Sequence, residues 1–355
     1  MEDIEKNFVW SVFSGANLSK YLIAESRKGG KAAVFLKPCD SYSFVQLLKE
    51  HRILRETVYA VGVQCGGMCD MEAIKEQGLA GVTAVTEDGE ALCVSTIYGE
   101  RTIKKADALL LKCKTCKSKK IVCFDELLGE QGEENVDCGR FDEVQKLEAM
   151  TAEERYAFWR GELSRCIRCN ACRNVCPACS CEKCVFDNHD SGFENKAIAD
   201  SFEENMFHII RAFHVVSRCT DCGECSRVCP QHIPLHLLNR KFIKDINELY
   251  KRADYITIHI HFTDKTKGMI DAKAIGAMKR GVRVINLARG EIVDDEAMLA
   301  ALDTGKVAAY LTDFPNNRIV QAPHVIAMPH LGASTPESEE NCARMAADQL
   351  KDYLI

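Results

Sequence analysis

No stretch of the 355 residues approaches the ~18 apolar residues in a row that a membrane span needs. The first ten residues lack the basic-then-apolar order of a secretory signal. Membrane insertion and export are therefore not expected, and a cytoplasmic place is. Basic residues are not in excess either: 46 Lys and Arg stand against 52 Asp and Glu, which argues against nucleic acid as the main partner. Nowhere does a Gly-x-Gly-x-x-Gly follow a strand-like run, so no helix N-terminus is marked for a dinucleotide pyrophosphate. Beyond residue 252 cysteine is almost missing, with Cys342 alone.

What is abundant is cysteine in the rest of the chain: 19 of the 20 stand before residue 253. Without an export signal such a count points to metal ligation rather than disulfides. Its imbalance says that two chemically different segments are joined. The apolar fraction of 46% allows real cores, and at roughly 150 residues per domain the length predicts two or three domains.

From the N-terminus to about Gln131, strand and helix alternate. Residues 31–37 and 57–63 are apolar runs of strand length, and Phe44, Leu47, Leu48 and His51 recur between them at helical spacing. Together they read as a βαβ unit of a parallel sheet. Residues 130–137 read as an acidic loop, and Thr151 with Glu154 as the capping box of a helix. A further helix is expected near 201–217, with Met206, Ile209, Ile210, Phe213 and Val216 as its core-facing stripe. After Arg252 strands are expected over 253–260, 282–287, 307–312 and 325–328, and helices over 271–279, 295–302 and 336–354. The expected fold class is α/β. An N-terminal α/β domain covers 1–150, a dicluster ferredoxin-like module 151–250, and a partial Rossmann domain, half a doubly wound sheet, 251–355. The junction before the last is placed at 250–253.

Cys166, Cys169 and Cys172, followed by Cys176-Pro177, have the spacing C-x-x-C-x-x-C-x-x-x-C-P, and Cys219, Cys222, Cys225 and Cys229-Pro230 repeat it. Three such thiolates wrap one face of an iron–sulfur cube while the fourth reaches the other cube. Cys166, Cys169, Cys172 and Cys229 are thus assigned to one 4Fe-4S cluster, and Cys219, Cys222, Cys225 and Cys176 to a second. Zinc more usually takes two C-x-x-C pairs. Cubes with four thiolates offer no free coordination position, so such a pair relays electrons. Cys39 and Cys65 follow the two strands at the carboxyl edge of the sheet, where α/β folds keep their sites, and Cys113 and Cys116 form a C-x-x-C. A third cluster on these four competes with the reading that they are buried apolar thiols, with Cys69, Cys123 and Cys138 as substitutes. Cys179, Cys181 and Cys184 are open between a further cluster, zinc and free thiols. Lys112, Lys114, Lys117, Lys119 and Lys120 are either a solvated face or an offset to a cluster's negative charge.

Lys37-Pro-Cys-Asp-Ser41, Gly62-Val-Gln-Cys-Gly-Gly-Met-Cys-Asp70, Lys112-Cys-Lys-Thr-Cys116 and the run from Cys166 to Cys181 carry a resemblance. Over about residues 5–250 the chain resembles the beta-subunit family of deazaflavin-coenzyme-reducing hydrogenases and formate dehydrogenases. That family has ferredoxin-fused relatives beside heterodisulfide-reductase-like complexes. The resemblance implies an anaerobe's cytoplasmic electron-transfer subunit, with FAD in the α/β domain. Its implied partners are other subunits of a redox complex or a soluble ferredoxin.

In the last segment Arg289 follows a strand-like run, where an arginine can grip a carboxylate bidentately. His330 follows another, where an imidazole can exchange a proton with a hydroxyl. Ala253-Asp-Tyr-Ile-Thr-Ile-His259, Asn286-Leu-Ala-Arg-Gly290, Thr312-Asp-Phe-Pro315 and the run Pro329 to Ser338 resemble the NAD-dependent D-2-hydroxyacid dehydrogenases, D-3-phosphoglycerate dehydrogenase most of all. The resemblance implies that Arg289 binds the carboxylate, His330 is the acid/base partner and Asp313 lies near the nicotinamide. Where that family carries an acidic residue to polarise the histidine stand Asn316, Asn317 and Arg318, so an unsupported imidazole is expected. Without the glycine-rich turn, NAD is not expected to bind fully, and the half-sheet leaves an edge strand to be covered. The expected function is that of an iron–sulfur electron-transfer subunit of a soluble anaerobic redox complex, relaying to or from a flavin. The alternatives are a 2-hydroxyacid dehydrogenase activity of the last segment, and a tail that only mediates assembly.

Overall fold

The first βαβ unit forms as its apolar pattern dictates. In a computed structural model Ala32–Leu36 is β1, Pro38–Lys49 a helix and Val58–Val63 β2, and the two strands pair in parallel. The structure describes residues 6, 8–181, 184, 186, 201–263, 266–330, 340, 341, 343–345, 347, 348 and 351, with 201–205 as backbone alone. They fall into two compact units, Met1–Lys244 and Asp245–Ile355. The boundary lies within the helix His236–Arg252, ahead of the junction expected at 250–253.

In the first unit Pro38 opens the helix, where its missing N–H costs nothing. The Asp40 carboxylate accepts from the Lys37 backbone N–H at 3.3 Å and pairs with the Lys37 ammonium at 2.6 Å. Phe44 and Leu47 on this helix are fully buried with Val34, Leu36, Val58 and Ala60, each large side chain contributing about 1.5–3 kcal/mol. β6 (Glu126–Leu128) adds in parallel on the far side of β2, giving the order β1-β2-β6.

Between β2 and β6 the chain departs from strand–helix alternation. β3 (Val82–Asp88), β4 (Ala91–Thr96) and β5 (Gly99–Lys104) form a separate antiparallel sheet. Its signal was the alternation of Val and Thr ahead of Asp88-Gly89, where Gly89 takes a φ of 60° to turn the hairpin. Residues 130–137 lie outside any helix or strand, as expected of the loop.

The helix Ala152–Ser164 starts on its capping box. The Thr151 hydroxyl accepts from the Glu154 N–H at 3.2 Å, and the Glu154 carboxylate accepts from the Thr151 N–H at 2.9 Å. The helix Ser201–Val215 also forms, but the expected stripe is not its core face. Ile209 and Phe213 are exposed, and the buried residues are Phe207, His208, Arg211, Ala212 and Val215. This face was selected by charge as well as hydrophobicity, since it sets a guanidinium and an imidazole among thiols.

In the second unit β7 (Tyr255–Ile258), β8 (Val282–Asn286), β9 (Val307–Thr312) and β10 (Val325–Ala327) pair in parallel in the order β10-β9-β8-β7. Asp271 and Asp294 cap the helices Ala272–Ala277 and Asp295–Asp303, each accepting a backbone N–H. Val282, Val284, Ile292 and Met298 are fully buried at its centre. This is a Rossmann-like α/β unit, and the chain as a whole is α/β. Most of the closing helix expected over 336–354 lies outside the described residues. Among the described residues no helix is long and apolar enough to cross a membrane.

Candidate metal centres and a second candidate site

The two cysteine repeats fold alike because their loops share a backbone solution. After Cys166 the left-handed residues are Arg168 and Asn170, and after Cys219 they are Asp221 and Gly223, the same two positions of each motif. Three of these four are not glycine, so each loop holds a conformation that costs energy, as binding sites commonly do. Cys166, Cys169 and Cys172 line a cavity enclosing about 330 Å³ of atom-free space, and the thiol that completes it is Cys229, from the other motif. Conversely, Cys176 lies close enough to interact electrostatically with each of Cys219, Cys222 and Cys225. Cys229 thus lies with the first triad, and Cys176 lies near the second. No carboxylate lines the first cavity among the described residues. Among the described residues no three His, Cys, Asp or Glu close on one point as a single ion requires. The donor set fits iron–sulfur clusters.

Burial pushes the Cys225 thiol up to about 12 and raises Cys219, Cys222 and Cys172 as well. Thiols held protonated are inert until a metal takes the proton's place. Arg211, which sequence reasoning missed, is 3% exposed and interacts with Cys172 of one set and Cys176 and Cys225 of the other. Its guanidinium donates to the Cys172 carbonyl at 3.0 Å. His208 lines the first cavity beside it.

Cys39, Cys65, Cys113 and Cys116 also come together. They line a second cavity of about 330 Å³ of atom-free space, the same as the first, again without a carboxylate among the described residues. The Cys65 Sγ accepts from the backbone N–H of Gly67 at 3.4 Å, and the Cys166 Sγ accepts from that of Arg168 at 3.4 Å. Equivalent N–H···S contacts two residues on occur in both settings, and such bonds tune bound clusters. Burial raises Cys39, Cys65 and Cys116. The substitutes lie elsewhere: Cys69 packs with Val12 and Ile74, Cys123 against the β1–β2 core, and the Cys138 thiol donates to the Thr115 carbonyl. Of the lysine run, Lys112 and Lys119 turn to this cavity, while Lys114 and Lys120 face solvent. The first βα turn does not fit the pyrophosphate of FAD. Pro38 offers no N–H there, and the Asp40 carboxylate already occupies the helix N-terminus.

In the second unit Asp313 follows β9 and His330 follows β10. The His330 Nδ1 lies 2.7 Å from an Asp313 carboxylate oxygen. The expectation of an unsupported imidazole is therefore overturned, because Asp313 supplies the carboxylate that residues 316–318 do not. The other Asp313 oxygen is buried with no hydrogen-bond partner among the described residues. Phe314 gathers the site: the His330 ring lies against it, tilted by 42° with centroids 4.2 Å apart, and the Arg289 guanidinium lies 5.1 Å over it. Arg289 also lines a cleft with His259, His261 and Leu287 at the carboxyl ends of β7 and β8. Arginine, carboxylate and imidazole fit the reacting end of an NAD-linked site. No Gly-x-Gly turn is available for the dinucleotide's pyrophosphate.

A model of 4Fe-4S dicluster domains matches residues 162–233, and one of the D-isomer specific 2-hydroxyacid dehydrogenase NAD-binding domain matches residues 231–332. The chain thus joins a segment matching the 4Fe-4S dicluster model to one matching the dehydrogenase NAD-binding model. D-3-phosphoglycerate dehydrogenase of Methanocaldococcus jannaschii is 38% identical over 120 residues, 32% of this chain and 23% of that protein. The enzyme of the same name from Bacillus subtilis is 40% identical over 116 residues, 31% of this chain and 22% of that protein. The chain thus spans under a quarter of the length of these relatives. A solved glyoxylate reductase from Paecilomyes thermophila is 28% identical over 30% of this chain and 34% of its own, with a TM-score of 0.28. The iron–sulfur segment supports an electron-transfer role, and the last segment resembles a 2-hydroxyacid dehydrogenase.

Proposed function

We propose that the chain is an electron-transfer subunit of a redox complex of the hydrogenase, formate dehydrogenase or heterodisulfide-reductase-like kind. It passes electrons one at a time between a low-potential donor and a flavin or cluster on a partner subunit or soluble ferredoxin. The observation that supports this reading is that Cys229 lines the cavity of Cys166, Cys169 and Cys172 while Cys176 lies near Cys219 and Cys222. Cys166, Cys169, Cys172 and Cys229 would hold one cluster, and Cys219, Cys222, Cys225 and Cys176 the second. Cys39, Cys65, Cys113 and Cys116 would hold a third. Bound there, such clusters supply one-electron carriage. The protein's part is to present thiolates, exclude water, and offset their charge with Arg211, Lys112 and Lys119. FAD is assigned to a partner because the first βα turn has no place for its phosphates.

Anaerobic metal analysis is expected to return about eight irons per chain from the dicluster segment, with visible absorbance that bleaches on reduction. The Cys65→Ser chain is expected to carry about four fewer irons than the parent, from the third set. Stoichiometric zinc without visible absorbance overturns the reading.

The pairing of His330 with Asp313 favours a second reading, in which the last segment retains dehydrogenase chemistry on a 2-hydroxy acid. Arg289 would hold the carboxylate, and His330, oriented by Asp313, would take up or return the hydroxyl proton. NAD binding weakened by Arg289→Ala or His330→Ala, measured by nucleotide fluorescence, is its expected result. No NAD affinity in the parent ends it.

A further inference from the structure

Each cysteine motif ends in a turn of the same form. The Cys179 N–H donates to the Cys176 carbonyl at 3.1 Å across Pro177-Ala178, and the His232 N–H donates to the Cys229 carbonyl at 3.0 Å across Pro230-Gln231. Proline holds φ at about −65° and so presets the first bend of both turns. They differ in the residue that closes them. The second motif closes on His232, so the turn itself does not call for a thiol there. In the first motif that position carries Cys179, which packs with Cys176 against Ala178 and Val215.

A turn of this kind keeps its first and fourth Cα atoms within about 7 Å. A disulfide joins Cα atoms about 4.4–6.8 Å apart, so the turn already holds Cys176 and Cys179 in bridging range. A side-chain hydrogen bond joins the two sulfurs. The Lys20 ammonium, donating to the Cys179 carbonyl at 2.5 Å, fastens the end of the turn. Access is one-sided. Cys176 is buried, whereas Cys179 is half-buried and lines a cavity enclosing about 860 Å³ of atom-free space. A small disulfide entering that cavity meets Cys179 first, and Cys176 stands behind it to resolve the product.

We propose that Cys176 and Cys179 form a reversible disulfide, which closes the second cluster's site and leaves the first open. Only that consequence depends on the iron–sulfur reading, through the assignment of Cys176 to the second set. The Cys179 sulfur attacks one sulfur of a small organic disulfide, whose S–S bond breaks and releases one thiol. The Cys176 sulfur then attacks the Cys179 sulfur of the mixed disulfide and releases the second thiol. Two protein thiols are oxidised, one reagent disulfide is reduced, and both protons pass to the released thiols. Cys229, with His232 at the equivalent place, gains no such bridge within its own turn.

The test uses the full chain, purified without oxygen and stripped of iron with a chelator. After glutathione disulfide and then iodoacetamide, the tryptic peptide 174–183, which holds Cys176, Cys179 and Cys181, should carry one alkyl group, on Cys181. Dithiothreitol before alkylation should bring all three under label. Offered preassembled 4Fe-4S clusters on a scaffold protein without added thiol, the oxidised chain should take up about four fewer irons than the reduced chain. The Cys179→Ala chain, treated alike, should take up as much iron as the reduced parent. Full alkylation after glutathione disulfide, a lasting mixed disulfide, or a bridge that leaves Cys176 alkylated overturns the proposal, and so does equal iron uptake by the oxidised and reduced parent. A reduced parent that takes up no iron would instead end the iron–sulfur reading, and the alkylation pattern would still decide the disulfide.

Discussion

Cys229→Ser and Cys169→Ser extinguish the same paramagnetic signal, and Cys176→Ser extinguishes the other. This is the expected result if the chain crosses between its two motifs, as the repeated C-x-x-C-x-x-C-x-x-x-C-P spacing leads one to expect. Read as separate loops, Cys229 would belong with Cys219, Cys222 and Cys225. In the structure it closes the cavity of Cys166, Cys169 and Cys172 instead. Leu163, Cys172, Cys225, Ile233 and Leu235 form one shared core, so neither loop has a separate interior. Each substitution should cost about four of the irons bound per chain and abolish transfer through the missing centre. Anaerobic electron paramagnetic resonance with iron analysis checks it. If Cys229→Ser matched Cys219→Ser rather than Cys169→Ser, the crossed assignment would be wrong.

Glu224→Ala unfolds the first unit far more easily than an ordinary surface change. Glu224 is fully buried between Cys222 and Cys225. Its carboxylate accepts from the Lys112 ammonium at 2.5 Å, from the Arg227 guanidinium at 2.8 Å and from the Asn17 N–H at 3.2 Å. Burial alone would push the Glu224 carboxyl up, but Arg227 and Lys112 outweigh it and hold it below its ordinary value. Lys112 is itself buried, at the wall of the third thiol cavity, so removing the carboxylate strands its charge. Such a loss costs about 3–5 kcal/mol, to be read from denaturant midpoints under anaerobic conditions. A combined Glu224→Gln/Lys112→Met chain should recover much of it, since replacing both charges removes the stranded one. A change below about 1 kcal/mol for Glu224→Ala would show that the pair is not the tie it looks to be.

This tie also explains a glycine. Gly223 has a φ of 68°, and a Cβ there would lie 2.5 Å from the Lys112 Cβ. The left-handed turn that orients Cys222 and Cys225 is thus the surface against which the Lys112 segment, with Cys113, is packed. The second ferredoxin-type set and the third thiol set are tied by the Lys112–Glu224 pair and by Arg240, which donates to Asp221 and to Thr115.

Much of this was legible in the residues. Local spacing places three thiols of each motif on one loop whatever the rest of the chain does. Proline after the fourth turns the backbone away, and the apolar runs around residues 31–63 and 282–312 admit few alternatives to parallel strands. Other features were not legible because hydrophobic periodicity carries no information about charge at a distance. It favoured Ile209 and Phe213 over His208 and Arg211 as the inner face of their helix, and the structure reverses that choice. It could not pair His330 with Asp313 either, because two strands separate in sequence must lie side by side before those residues meet.

The sequence by itself therefore determined the kind of chemistry: which thiols are spaced in triads, and that a segment matching a 4Fe-4S dicluster domain is followed by a dehydrogenase-like one. Only the tertiary structure decided that Cys39, Cys65, Cys113 and Cys116 share a cavity and which carboxylate supports the histidine. It also decided where positive charge is buried among the sulfurs. The physical reason is range: ligand spacing and strand patterning are set by neighbours along the chain, whereas counter-charge and cavity closure depend on groups brought together only by folding.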